Sequence, residues 1–318
     1  MNNATKGIML ALATAFFSGT NNFLTKIAVT ALKDPILSTT LRNALVGATL
    51  VGIILLTKRW KELISLKSSQ ALQLLFIAVI GGCVPFILYF TGLSMIPALS
   101  AAFIHKTLFL WAAIFAVPLL KEHIGITQIA ALLLLFGGNL ALGFPKFNFN
   151  IGEALVLMAT VFWALENVVA KKALANISSL TVAGARMAVG SLFLFLILAL
   201  KDGSGAIVHL NAMQWGWTLL TALLLLGYVT TWYSALKKLP VTVATALLVP
   251  ATLITNVMSG IFITHSITLP QVYNGVLVVL GSTLLIWGTR KLITPLVSRN
   301  SPHPSLTLRE GDASNLPS

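Results

Sequence analysis

The residue of this chain hardest to explain without a function is Lys106. It lies in the apolar stretch Pro97-Ala-Leu-Ser-Ala-Ala-Phe-Ile-His-Lys-Thr-Leu-Phe-Leu-Trp-Ala-Ala-Ile-Phe-Ala-Val-Pro118, next to His105 and with no further charge until Lys121. A helix rises about 1.5 Å per residue, so a lysine nine residues past Pro97 sits roughly 13 Å into a hydrocarbon layer about 30 Å thick. An ammonium at that depth is costly unless it meets a partner or a wet cavity, and residues of this kind mark pathways and sites. Its chemistry would be to hold a carboxylate, a phosphate or another anion, or to pair with an acid. His105 could shuttle a proton or satisfy one hydrogen bond.

Glu166, in Trp163-Ala-Leu-Glu-Asn167, is the one acidic residue deep in any apolar run. A carboxylate there can take up and release a proton as its surroundings open, bind an amine, or form a structural pair with Arg186 or Lys106. Arg42 and Arg186 lie about one and a half turns inside their own runs, either snorkelling to the interface or lining opposite vestibules. Thr14, Ser18, Asn21 and Thr25 form a polar stripe at helical spacing, with Asn22 beside them. Thr160, Trp163 and Asn167 repeat the pattern. Asn22 and Asn167 either join neighbouring helices or line a site, and Trp163, Tyr228 and Trp232 could line its apolar walls. Pro250 interrupts its run between Thr245, Thr252, Asn256 and Ser259, exposing carbonyls or making a hinge, and Pro85 does likewise earlier.

The elements that must carry these residues are membrane helices. Hydrophobic residues make up 57% of the chain, charged ones 9%, and the mean hydropathy is +0.92. Soluble domains carry about 25% charged residues. Ten runs near the roughly 20 residues of a spanning helix are predicted at 7–27, 36–57, 71–93, 97–119, 124–144, 151–171, 180–200, 213–236, 241–264 and 270–290. The first carries Asn21 and Asn22 and lacks a cleavage site of small residues, so it is read as a retained helix. The net charge of +13 does not require nucleic acid, because of where it lies. With the N-terminus in the cytoplasm, fourteen Lys and Arg fall in cytoplasmic segments against four outside, which places both termini inside.

Residues 7–144 and 152–290 repeat each other. Gly7 pairs with Gly152, Asn22 with Asn167, Lys26 with Lys171, Arg42 with Arg186, Pro97 with Pro240, Gln128 with Gln271 and Gly138 with Gly281. Each unit has five runs, an odd number, so the second enters the membrane from the opposite side. Inverted repeats of this sort are characteristic of secondary transporters, with the substrate held between the repeats near the midplane. The predicted fold is therefore an all-α membrane protein with ten transmembrane helices in two inverted five-helix repeats. The units are 1–146 and 147–290, followed by a polar tail at 291–318 expected to be disordered on the cytoplasmic side.

The pattern from Trp163-Ala-Leu-Glu-Asn167 to Lys171, the linker Leu-Pro240-Val-Thr-Val-Ala and the ending Leu-Leu-Lys-Glu122 resemble the EamA-type branch of the drug/metabolite transporter superfamily. The resemblance spans 7–290 and implies a carrier of amino acids, nucleobases, vitamins or drugs. The copies differ at two places. His105-Lys106-Thr107 stands opposite Leu248-Val249-Pro250, and His265 stands opposite Glu122.

The expected activity is secondary transport of a small polar metabolite, such as an amino acid or organic anion, with export as the direction and protons as coupling ion in one version. Exchange of anions or phosphorylated metabolites is the alternative, with a channel or another non-transport membrane protein behind it. No phosphate-loop motif, Ser-His or paired-Asp arrangement, or helical His-Glu-x-x-His occurs, so neither ATP-driven pumping nor enzymatic activity is expected. No cofactor, metal or catalytic residue is expected, and the lone Cys83 excludes an internal disulfide. The expected setting is the bilayer of the cell membrane, as a monomer or homodimer.

Overall fold

Most of the apolar runs begin where a polar side chain can take amides that a helix leaves unbonded. A computed structural model describes residues 2–143, 148, 150–201 and 204–299, and every regular element among them is helical. Asn2 opens α1 (Asn3–Leu32), and Asp34 accepts from the amides of Ile36 and Leu37 to open α2 (Pro35–Leu56). A short α3 (Trp60–Ile64) leads to span three, α4 (Ser68–Phe76) and α5 (Val84–Leu93) separated by a π turn at Ile77–Gly81. Span four is also in two pieces, α6 (Ala98–Lys106) and α7 (Leu108–Leu120), and α8 (Ile126–Ala141) ends the first half.

The second half runs through α9 (Ile151–Ala173), α10 (Ser179–Leu200) and α11 (Ala212–Lys238). Span nine is divided into α12 (Val241–Ala246), α13 (Ala251–Ser259) and a π turn at Gly260–Thr264, and α14 (Leu269–Arg299) is the last helix. Among the described residues, nine helical stretches are long and apolar enough to cross a membrane. The tenth, α8, has 16 residues and is shorter than the predicted 124–144. Helix α14 continues to Arg299, so the first residues of the tail expected over 291–318 are helical instead. Residues 300–318, where the rest of that expectation falls, lie outside the described residues.

The spans pair across the two halves: α1 lies along α11 and α13, α2 against α10, α5 and α7 against α9, and α8 against α14. On the α3 side, Glu62 accepts from the Ser178 amide at 2.7 Å and from the Thr181 hydroxyl at 2.5 Å, tying the span two to three loop to the start of α10. Burial pulls the Glu62 carboxyl upward, but those hydrogen bonds outweigh it and hold the group below its ordinary range.

Spans three and seven meet backbone to backbone. A Cβ on Gly82 would lie 2.5 Å from the Arg186 carbonyl oxygen and 3.0 Å from the Gly190 Cα. Backbone cannot swing aside as a side chain can, so Gly82→Ala must push the spans apart. We expect a loss of about 1–3 kcal/mol from overpacking, read as a lower thermal midpoint in detergent.

Candidate functional site

The break in span three supplies an acceptor that a regular helix would hide. After the π turn, Cys83 departs from helical geometry at φ −134° and ψ −72°, and α5 restarts with Pro85 in its first turn, where no amide is needed. A π turn takes the ladder out of register and often marks a functional position. Here it frees the Gly81 carbonyl, which accepts the Trp163 indole N–H at 3.2 Å and the Arg186 guanidinium at 3.0 Å.

Glu166, 1% exposed, packs into the same corner. The Tyr233 hydroxyl donates to its Oε1 at 2.7 Å, and Arg186 supplies the opposing charge. A Cβ on residue 81 would stand 2.6 Å from Glu166 Cγ and 2.9 Å from Arg186 Nε. Glycine is what lets acid, guanidinium and carbonyl meet. Tyr228 feels both charges, and its ring stacks on Trp232 at 6.4 Å with the planes 7° apart.

On the other side of Trp163 lies a second group of rings: His105 at 4.9 Å between centroids, Phe86 at 5.1 Å and Tyr89 at 5.9 Å. The buried His105 Nδ1 has no hydrogen-bond partner among the described residues. Lys106 follows as the last residue of α6. Across the junction the ladder tightens to i→i−3 bonds, Thr107 N to Ile104 O at 3.1 Å and Leu110 N to Thr107 O at 2.9 Å. Lys106 is half-buried, and among the described residues no acceptor engages its ammonium. The cation is left available.

Span nine has its interruption at the repeat-matched place, since Thr107 pairs with Pro250. Leu248, Val249 and Ala251 bond to Thr245, Ala246 and Leu248 at 3.2, 3.1 and 2.9 Å, again three residues back. Both α7 and α13 thus begin within the membrane. The positive dipole ends of the two helices favour negative charge near the middle of the bundle.

At one end of the bundle two charged side chains clamp a corner of the chain. Lys171, at the end of α9, donates to the carbonyls of Leu236, Lys237 and Leu239 at 2.7, 3.2 and 2.7 Å. Glu122, just past α7, accepts from the amides of Val241 and Thr242 at 2.5 and 3.1 Å and from the Thr242 hydroxyl at 2.9 Å. The two residues hold both sides of the Leu239–Pro240 corner and attract one another. Bonds to a carboxylate contribute about 1.5–3 kcal/mol each, so Glu122→Ala should raise hydrogen exchange at the Val241 and Thr242 amides by roughly tenfold or more. Unchanged exchange there would deny Glu122 this role.

The sequence profile of the EamA-like transporter family matches residues 5–144 and again 150–287. The chain belongs to the EamA-like transporter family. It is therefore a membrane transporter. An uncharacterized transporter of Archaeoglobus fulgidus is 24% identical over 88% of this chain and 98% of its own length. A crystal structure sharing 18% identity superposes with a TM-score of 0.74 over 91% of this chain and 99% of that one, which is a likeness of fold.

Within this family member, the expected site residues separate into groups. Trp163, Glu166, Arg186 and Tyr228 come together at Gly81, with Trp232 joined through Tyr228 and His105 through Trp163. Lys106 does not pair with Glu166, whose hydrogen-bond partner is Tyr233 and whose opposing charge is Arg186. Neither arginine snorkels: Arg42 is 7% and Arg186 8% exposed. Arg42 donates to Thr25 Oγ1 at 2.7 Å, away from the central cluster. Asn22 is exposed, whereas its repeat mate Asn167 is 5% exposed. Pro250 ends the interruption of span nine.

Sequence reasoning missed three participants: Tyr233, Tyr89 and the Gly81 carbonyl. The run Gly81-Gly82-Cys83-Val84-Pro85 signals a break, but a freed carbonyl leaves no mark of its own in the residue types. The break at Thr107 carries neither glycine nor proline and gave no signal.

Proposed function

We propose that this transporter moves a small polar metabolite bearing an anionic group, such as an amino acid or organic anion, outward across the cell membrane by alternating access. The observation that carries the reading is Lys106, an unengaged ammonium at a break in a membrane helix. A half-buried cation at membrane depth without an acceptor is unfavourable unless water or a ligand supplies one. The broken spans four and nine, matched between the repeats, support the same centre. Glu166 already accepts from Tyr233 and has Arg186 as its nearby counter-charge, which favours its acting with them to fix the span three bulge. On the positive-inside rule the clamped end, with Lys171, Lys172, Lys237 and Lys238 close by, is cytoplasmic, and so are both termini.

The test is thermal stabilisation of the detergent-solubilised protein across amino acids, organic anions, phosphorylated metabolites and nucleobases, followed by efflux from loaded proteoliposomes. A compound that binds the folded state raises its midpoint. Stabilisation by carboxylates is expected, and stabilisation confined to cationic or neutral compounds would overturn the anion reading. Efflux that stops when a proton gradient is dissipated would mark proton coupling. Efflux that instead requires anion on the far side would mark exchange, the second reading.

A further inference from the structure

The clamp at Leu239–Pro240 has a counterpart on the opposite face that this structure leaves unmade. The repeat offset of 143 maps Leu239–Pro240 onto Ile96–Pro97, Val241 and Thr242 onto Ala98 and Leu99, and Glu122 onto His265; an offset of 145 maps Lys171 onto Lys26. One half of the arrangement is present at both ends. Residue 7, at the start of span one, packs on the first corner, where a Cβ would lie 2.7 Å from Leu239 Cγ. Residue 152, at the start of span six, packs on the second, 2.7 Å from Ile96 Cγ2.

The other half differs. Lys171 closes on the carbonyls of Leu236, Lys237 and Leu239, whereas Lys26 is exposed and donates to no residue among those described. Glu122 takes the first amides of α12, while His265 is exposed at the left-handed end of its π turn, φ 48°, and takes none of the first amides of α6. The Phe23 and Phe262 rings, 6.0 Å apart, place the elements carrying Lys26 and His265 side by side one turn further along. The structure is thus latched at one mouth and unlatched at the other.

We infer that Lys26 is the gate residue of the second mouth, and that in the alternate state its ammonium takes the carbonyls of Leu93, Ser94 and Ile96 while His265 faces the amides of Ala98 and Leu99. This rests on the alternating-access reading proposed above. The two latches are unequal by composition. Glu122 brings a carboxylate with two oxygens, which accept three bonds and draw Lys171 close; an imidazole offers at most one acceptor nitrogen and no negative charge. The latch containing Glu122 is the stronger, and the protein accordingly rests with that mouth closed. His265 biases the cycle toward the state seen here.

Spin-label distances in lipid nanodiscs test this without a known substrate. In a Cys83→Ala background, Thr30→Cys with Met95→Cys reports the unlatched mouth, and the repeat-matched Ala175→Cys with Lys238→Cys reports the latched one. The parent should show mainly a long distance at the first pair and a short one at the second. His265→Glu should raise the short-distance population of the first pair several-fold and lengthen the second in step. Lys26→Ala should abolish that gain and Lys26→Arg retain it, with the thermal midpoint of each variant showing that it is folded. If His265→Glu leaves both distributions unchanged, or if the gain survives Lys26→Ala, the latch is not built from these residues. The transport reading would then stand or fall on the efflux assay alone. If the two pairs never move reciprocally in any variant while efflux is measurable, both the latch and alternating access by these corners are wrong.

Discussion

Lys106→Ala is expected to lose anion binding while the unliganded protein melts no earlier, and by a little later, than the parent. The two halves of that result have one cause. Because the ammonium engages no acceptor among the described residues, its removal breaks no native bond and relieves a buried charge of its desolvation. A bound carboxylate would instead lose a charge-assisted hydrogen bond of about 1.5–3 kcal/mol, or roughly 10–100-fold in Kd. Lys106→Arg keeps the charge but exchanges a compact ammonium for a broad planar fork, so it should keep some affinity while altering which anions bind. Titration calorimetry with the best anion from the stabilisation panel reads affinity, and the midpoint without ligand reads stability. A Lys106→Ala protein that binds as tightly as the parent would remove Lys106 from the site. One that melts several degrees earlier would show that a structural partner had formed.

The second large effect is expected at Glu166, with the opposite signature. Glu166→Leu leaves Arg186 buried without its counter-charge and the Tyr233 hydroxyl without an acceptor. Breaking a buried charge pair from one side costs about 3–5 kcal/mol. Arg186→Leu should cost a similar amount, and it also releases the Gly81 carbonyl to Trp163 alone. In the double variant neither charge is stranded, so its loss should be clearly smaller than the two single losses added together. A double-mutant cycle on unfolding in mixed micelles measures the difference. Additive losses would mean that the two residues act separately, and a Glu166→Leu protein as stable as the parent would return Glu166 to the role of a free proton carrier.

These two residues show how legible the site was. Both stood out because charge is rare in an apolar run, and rarity alone marks a position as costly. What each does was a different matter. From the sequence, Glu166 could pair with Lys106 or Arg186; the structure sets it against Arg186 and Tyr233 and leaves Lys106 without an acceptor among the described residues. Which cation meets the acid depends on helix rotation and crossing, and those are set by small residues such as Gly82 and Gly190, where backbones touch. The arginines teach the same lesson. Their depth in the sequence permitted snorkelling, and only packing against Gly81 and Thr25 turned both inward.

The sequence by itself determined the membrane class, the ten-run plan, the duplication, the family and the positions where charge is buried. Those properties are additive along the chain: hydropathy, span length and repeat spacing can all be counted residue by residue. Tertiary structure alone decided that the spans pair across the halves, that span four breaks at Thr107 without glycine or proline, and that a backbone carbonyl anchors the polar centre. It also decided that Lys171 and Lys26, equivalent in the repeat, do different work in this state. Repeat spacing makes the two lysines equivalent, but which carbonyls a lysine reaches depends on how spans distant in the chain pack, and that cannot be counted residue by residue.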